Sequence, residues 1–275
     1  VAAVFTNPYR EHVDAVERLA AVGVHPPQPW QELRARWADT DIVTESAVDR
    51  YADAIVTGAA EDLATLHTLA LAEAAATPQS RAAITGAVQQ RVLRKLRTIY
   101  AANADSNYRK VAALFDKAAA AFGKCAAVVD PETDAADLVQ ADDRTRKAWV
   151  DALLAARELD ALLSVLASAA ALAGARTGSA EAKLALSVDT RGLHRRAVWT
   201  AFDSSGRCGR WSAIAAITQI RALPDLAELE PYRRAVPMQE KHLKVGRGMY
   251  RKVVVDPEDE PAEPAADRRG ATVLG

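Results

Sequence analysis

The stretch Tyr108–Phe122, YRKVAALFDKAAAAF, decides the fold class. Tyr108, Val111, Phe115, Ala119 and Phe122 recur every three or four positions, and the residues between them are charged or small. That spacing places one apolar stripe along an α-helix, and it excludes the strict alternation of a half-buried strand. Such a stripe must be covered by another element, so the question is what else along the chain carries a matching one.

Working outward, the same period recurs on both sides. Toward the amino terminus, Asn7-Pro8 reads as a cap followed by a first helical residue, and Val13, Val16, Leu19 and Ala20 follow up to the stop at Gly23. His25–Pro29 is a rigid linker, and Trp30, Leu33 and Trp37 mark a short second helix. Thr44 is the expected cap of a third helix with the stripe Val48, Ala52, Ile55, Ala59, Leu63, Leu66 and Ala70. Thr77-Pro78 then ends one helix and starts another, striped by Ile84, Val88, Val92, Leu96 and Ile99. Toward the carboxyl terminus, Asp130-Pro131-Glu132 repeats the cap-plus-proline signature. No breaker follows before Gly174, although the charged run Gln140–Lys147 offers a point of division. The stripe there is Trp149, Leu153, Ala156, Leu159, Leu163, Leu166 and Ala170.

Alanine supplies much of the apolar half of the composition, and aromatic residues only 5%. Alanine has the highest helix propensity and lets helices approach closely. The expected architecture is therefore all-α: an elongated antiparallel helical bundle over residues 1–175, with short connectors between neighbours. No fixed-period repeat and no sustained heptad speak for a solenoid or a long coiled coil.

After the hinge-like Arg176–Ser179 the chain changes character. Residues 176–255 read as a smaller, mixed but mainly helical region. One helix is expected from the Asp189-Thr190 cap to Phe202, another over Trp211–Leu223, and strand content over Val245–Val255. Residues 256–275, opening DPEDEPAEPAAD, are charged and proline-rich and are expected to form a disordered acidic tail.

The whole chain carries a net charge of −1, but the charge is unevenly placed. Val188–Lys252 holds 13 Lys+Arg against 6 Asp+Glu, a net of +7, and Val253–Gly275 has a net of −4. A basic segment before an acidic tail fits a polyanion partner, and it fits equally a tail that screens the segment. Within it, Ser204–Arg210 (SSGRCGR) combines turn-forming glycines, two arginines and a following helix start, the ingredients of an anion cradle. The candidate anion or nucleic-acid contacts are Arg195, Arg196, Ser205, Gly206, Arg207, Gly209, Arg210, Lys244 and Arg247. A glycine-rich interhelical turn with solvent-facing arginines accounts for the same residues. A second basic run, Arg91, Arg94, Lys95 and Arg97, reads as a solvated helix face.

No motif assigns a catalytic residue, a metal site or a cofactor. HExxH, GxSxG and the Glu-x-x-His di-metal pattern are all missing, and the five histidines are dispersed. Cys125 and Cys208 form no CxxC or Cys/His cluster, which reads as reduced thiols in a cytoplasmic setting. Arg207 and Arg210 flank Cys208 and would lower its thiol pKa. The amino terminus shows no signal-peptide pattern. The uncharged run Ala161–Ala175 falls short of the roughly 20 residues that span a bilayer, so it reads as a buried core helix, with no membrane role.

These observations lead to a non-catalytic structural, assembly or interaction protein, with protein partners or self-association through an alanine/leucine face. Val1 in place of Met, and abundant Ala, Arg, Val and Asp with scarce Lys and Asn, suit a GC-rich bacterial genome or its phage. A phage virion or assembly component, in the host cytoplasm or the virion, fits that composition. The alternatives are a nucleic-acid-binding module built on the basic C-terminal region, and an enzyme whose site assembles from distant helices.

Overall fold

The computed structural model describes residues 7–39, 46–57, 62–246 and 249–259. It is mostly helical, with ten α-helices and one two-stranded sheet among the described residues. The helices are α1 (Pro8–Ala21), α2 (Gln28–Asp39), α3 (Ala47–Thr57), α4 (Leu63–Ala75), α5 (Pro78–Ala101), α6 (Ala104–Ala126), α7 (Asp143–Leu172), α8 (Ala180–Ser187), α9 (Arg195–Phe202) and α10 (Arg210–Ala215). Strands β1 (Gln239–Gly246) and β2 (Met249–Val255) follow. The fold is thus a helical bundle with a small mixed C-terminal region. The chain divides into two compact units, Val1–Ala112 with Ser164–Arg176, and Ala113–Leu163 with Thr177–Gly275.

In the first unit the local signals work as the sequence implies. Asn7 Oδ1 accepts from the Tyr9 amide at 3.0 Å, and Thr77 Oγ1 accepts from the Ser80 amide at 3.1 Å, each ahead of a proline in the first turn. Gly23 follows α1 with φ 85°, a left-handed conformation that glycine adopts without strain. Helices α1 and α2 both pack on α5. Val13, Val16 and Leu19 of α1, Trp30 of α2, and Leu93, Leu96 and Tyr100 of α5 are buried there. Trp30 Nε1 donates to His12 Nε2 at 3.3 Å, and the His12 and Tyr100 rings meet edge to face at 6.1 Å. Burial, aided by the charge of Arg97, pushes the His12 pKa down to about 4, so the imidazole is neutral.

Three expectations change in this unit. Thr44, the expected cap, lies outside the described residues; Ser46 Oγ accepts from the Asp49 amide at 3.0 Å and starts α3. The single stripe read from Val48 to Ala70 is carried by two helices, α3 and α4, which pack on each other. In α5 the buried face is Leu93, Leu96 and Tyr100, with Ile84 and Val88 exposed.

In the second unit the core gathers Phe115 and Phe122 of α6, Ala152 and Leu159 of α7, Leu184 and Leu186 of α8, and Trp211 of α10. Asp130-Pro131-Glu132 does not start a helix. Asp130 Oδ1 accepts from the Glu132 amide at 2.9 Å and closes a turn; a 3-10 turn (Ala135–Leu138) follows, and α7 begins only at Asp143. The charged run is therefore where the long stretch divides. Asp142 caps α7, accepting from the Thr145 amide at 2.6 Å.

The C-terminal region differs more from its expected form. Ser179 caps α8, a helix absent from the sequence reading, and α9 begins after His194 rather than at Asp189. Helix α10 stops at Ala215, because the chain beyond it pairs with the end of α8: Val188 bridges Ile220, Arg221 N–H donates to Ser187 O, and Leu223 N–H to Leu186 O. Strand content extends to Gln239, as an antiparallel hairpin paired from Gln239↔Val255 to Gly246↔Met249, with a register shift between Lys244 and Gly246.

Candidate functional site

The loop Ser204–Gly209 turns through a hydrogen bond from Gly209 N–H to Gly206 O of 2.8 Å, with Gly209 at φ 61°. The turn aims successive amides the same way. Arg207 N–H donates to Glu132 Oε2 at 2.5 Å, Cys208 N–H to Glu132 Oε1 at 2.9 Å, and Ser212 Oγ to Glu132 Oε1 at 2.7 Å. The donors form a nest of the kind that holds anions, and they are directed at the chain's own carboxylate. A Cβ at Gly206 would run into that carboxylate, so a larger residue there would push Glu132 out of its present position. Burial alone would raise the Glu132 pKa. The bonds from Cys208, Ser212 and Arg207, with the Arg207 charge, together hold it below the ordinary carboxylate value.

The two loop arginines are also engaged within the unit. The Arg207 guanidinium lies 3.3 Å over the Trp149 ring and donates to Pro131 O at 3.0 Å. The Arg210 guanidinium lies 4.3 Å over the Phe202 ring and 3.9 Å from Asp160, which also accepts from Trp211 Nε1 at 3.1 Å. Ser205 is exposed. The Cys208 thiol is pushed up by burial, with Arg207 opposing, so the expected lowered pKa is reversed.

Arg195 and Arg196, on α9, meet the start of the acidic segment. Arg196 Nη2 donates to Asp256 Oδ1 at 2.7 Å while its Nε donates to Oδ2, and the same Nη2 reaches Val236 O at 2.5 Å. Arg195 Nη1 lies 3.3 Å from Glu258, and His194 Nε2 lies 3.0 Å from Asp259. The Arg196 hydrogen bonds hold Asp256 at a pKa of about 2. Residues Asp256–Asp259, expected to be structureless, thus form a turn fastened to α9, and residues 260–275 lie outside the described residues. Lys244 sits in β1, and Arg247 lies outside the described residues. His194, Asp256 and Asp259 bring their ligand atoms within 4.8 Å of one another, close enough to share a cation. Arg196 already engages both oxygens of Asp256.

Sequence reasoning singles out the cationic half of these arrangements and misses the anionic half. Glu132, Asp160 and Asp116, which accepts from Ala222 N–H at 2.7 Å, are ordinary surface acids by local pattern. Only the tertiary fold shows what they meet.

A different feature stands out in the first unit. Large apolar side chains lie exposed along α3 (Val48, Ile55, Val56), α4 (Leu63, Leu69, Leu71) and the first half of α5 (Ile84, Val88). Val56 is 83% exposed, Ile84 65% and Leu71 59%. Soluble monomers scatter such residues singly, and concentrations of them mark interaction sites. No helix among the described residues is long and apolar enough to cross a membrane.

The chain matches no family model, no curated protein and no solved structure.

Proposed function

We propose that the protein is an interaction protein that self-associates through the apolar surface of α3, α4 and the first half of α5. The observation that carries this reading is the exposure of Leu63, Leu69, Leu71, Ile84 and Val88 within one nearly chargeless stretch. From Leu63 to Gln90 the chain has one carboxylate, Glu73, one arginine, Arg81, no lysine, and one histidine, His67. A surface of that kind can face its own copy without like-charge repulsion, which is what a two-fold symmetric interface requires. These five side chains are 43–65% exposed, so covering each contributes on the order of 1 kcal/mol, and a two-fold interface counts each of them twice. A phage virion or assembly component is one setting for such a protein, and it rests on composition alone.

The nucleic-acid reading is the weaker one. Arg195, Arg196, Arg207 and Arg210 each have an intramolecular partner that a phosphate would have to displace.

Sedimentation velocity at 1–100 μM, as an order-of-magnitude range for such affinities, tests the proposal. The expected result is a concentration-dependent dimer or higher oligomer, and a monomer for the Leu71→Lys, Ile84→Lys variant with unchanged helicity. A strictly monomeric parent, or a variant that associates as the parent does, overturns it.

A further inference from the structure

A cleft of about 520 Å³ opens in the second unit between the end of α8 and the irregular segment Arg221–Arg233. Its size falls in the range of small-molecule sites. It is lined by apolar Ala185, Val188, Ala222 and Leu223 and by four arginines, Arg191, Arg195, Arg221 and Arg233. Asp189, Glu228 and Glu230 also line it, leaving an excess of one positive charge.

The walls are fixed in advance. Val188 bridges Ile220, Arg221 N–H donates to Ser187 O at 3.1 Å, Leu223 N–H to Leu186 O at 2.9 Å, and Tyr232 N–H to Glu181 O at 3.1 Å. Thr218 Oγ1 donates to Asp189 O at 2.6 Å. These bonds tie both sides of the opening to α8, so little ordering remains to be done when a ligand enters.

The four arginines are unequally satisfied. Arg191 takes both oxygens of Asp189, at 2.8 and 2.6 Å. That leaves Arg221 a loose contact of 4.0 Å to the same carboxylate. Arg195 meets Glu258 at 3.3 Å and also hydrogen-bonds the Tyr232 hydroxyl. Arg233 makes no side-chain hydrogen bond or ion pair among the described residues; it is its backbone carbonyl that accepts from Trp199 Nε1. Arg221 and Arg233 thus bring fork-shaped donors with spare capacity to a partly apolar opening.

We propose that this cleft binds a small phosphate monoester, with the phosphate held by Arg221 and Arg233 and the organic portion resting on Val188 and Leu223. Guanidinium forks match phosphate oxygens two at a time, and a dianion uses more of these donors than a monocarboxylate can. The apolar lining explains why an organic body should add affinity. The site is separate from the α3–α5 surface, and its test does not depend on self-association.

Isothermal titration with phenyl phosphate, inorganic phosphate, benzoate and phenol separates the contributions. The expected order is phenyl phosphate tightest, inorganic phosphate and benzoate each weaker by about tenfold, and phenol without measurable binding. Arg233→Gln, at an exposed position, should weaken phenyl phosphate several-fold with the circular dichroism unchanged. Arg221→Gln together with Arg233→Gln should weaken it by tenfold or more, on the order of one charge-assisted contact per arginine. No heat or thermal shift with phenyl phosphate at millimolar concentration overturns the proposal. So does unaltered binding by Arg233→Gln, which keeps the test decisive if the double variant fails to fold. Equal binding of phenyl phosphate and inorganic phosphate overturns the assigned ligand class.

Discussion

Helix α6 and the α3–α4 pair carry stripes of the same period, and the fold treats them differently. Tyr108, Val111, Phe115, Ala119 and Phe122 of α6 are all buried. Along the other stripe Leu66 and Ala70 are buried, while Val48, Ile55 and Leu63 face outward. The contrast lies partly in side-chain size. Helix α6 offers three large rings and a valine on one face, enough to organise a core around it. Helix α4 is apolar on nearly every side and can turn only one side toward α3, so other leucines are left over. Periodicity states that a face needs cover, and it is silent on whether the cover comes from the same chain.

The sharpest test of that contrast is truncation. Phe115→Ala should cost about 3–5 kcal/mol in urea unfolding, because it opens a cavity beside Trp211, whose ring lies 5.9 Å away. A loss below about 1 kcal/mol would mean that the α6 stripe is no better packed than the α3–α4 one, and the comparison would collapse.

Acid probes the first unit's core independently of the exposed face. His12 has a folded pKa of about 4 against 6.5 when unfolded, so the unfolded chain takes up the proton first. The stability it permits is complete above pH 6.5 and declines as pH falls toward 4, by on the order of 3 kcal/mol. His12→Gln should flatten that part of the pH–stability curve; an unchanged slope would place the titration elsewhere.

In the second unit, Glu132→Ala should cost about 1–3 kcal/mol, since two amides and a hydroxyl lose their acceptor. Thermal unfolding measures this, and the loss should exceed that of the exposed neighbour Asp134→Ala, which gives up only a single local bond. The smallest effect is expected at the unpartnered face: Val56→Ser should shift monomer stability by no more than about 0.5 kcal/mol. A larger loss in dilute solution would show that this face is already covered within the monomer.

Legibility in the sequence followed the range of the interactions. Asn7-Pro8 and Thr77-Pro78 start helices where the pattern places them, since a cap and its amides lie within three residues. Asp130-Pro131-Glu132 has the same local signature and makes a turn instead. The outcome there depends on Glu132 reaching a loop some 75 positions onward. The extension of β1 back to Gln239 was hidden by its charged residues, because a two-stranded hairpin can expose polar side chains on both faces. The basic loop was visible as chemistry, and its counter-ion was not, because nothing local distinguishes Glu132, Asp160 or Asp116 from any solvated acid.

The three acids also have an order in time. Asp116, Glu132 and Asp160 precede the groups that donate to them, Ala222 by 106 positions, Cys208 by 76 and Trp211 by 51. At a ribosomal pace of roughly 5–20 residues per second, each acceptor emerges seconds to tens of seconds before its donor. The growing chain therefore displays the receiving carboxylates first, Asp116 and Asp160 on helices and Glu132 in a turn. The late-arriving loops then close onto anchors already in place.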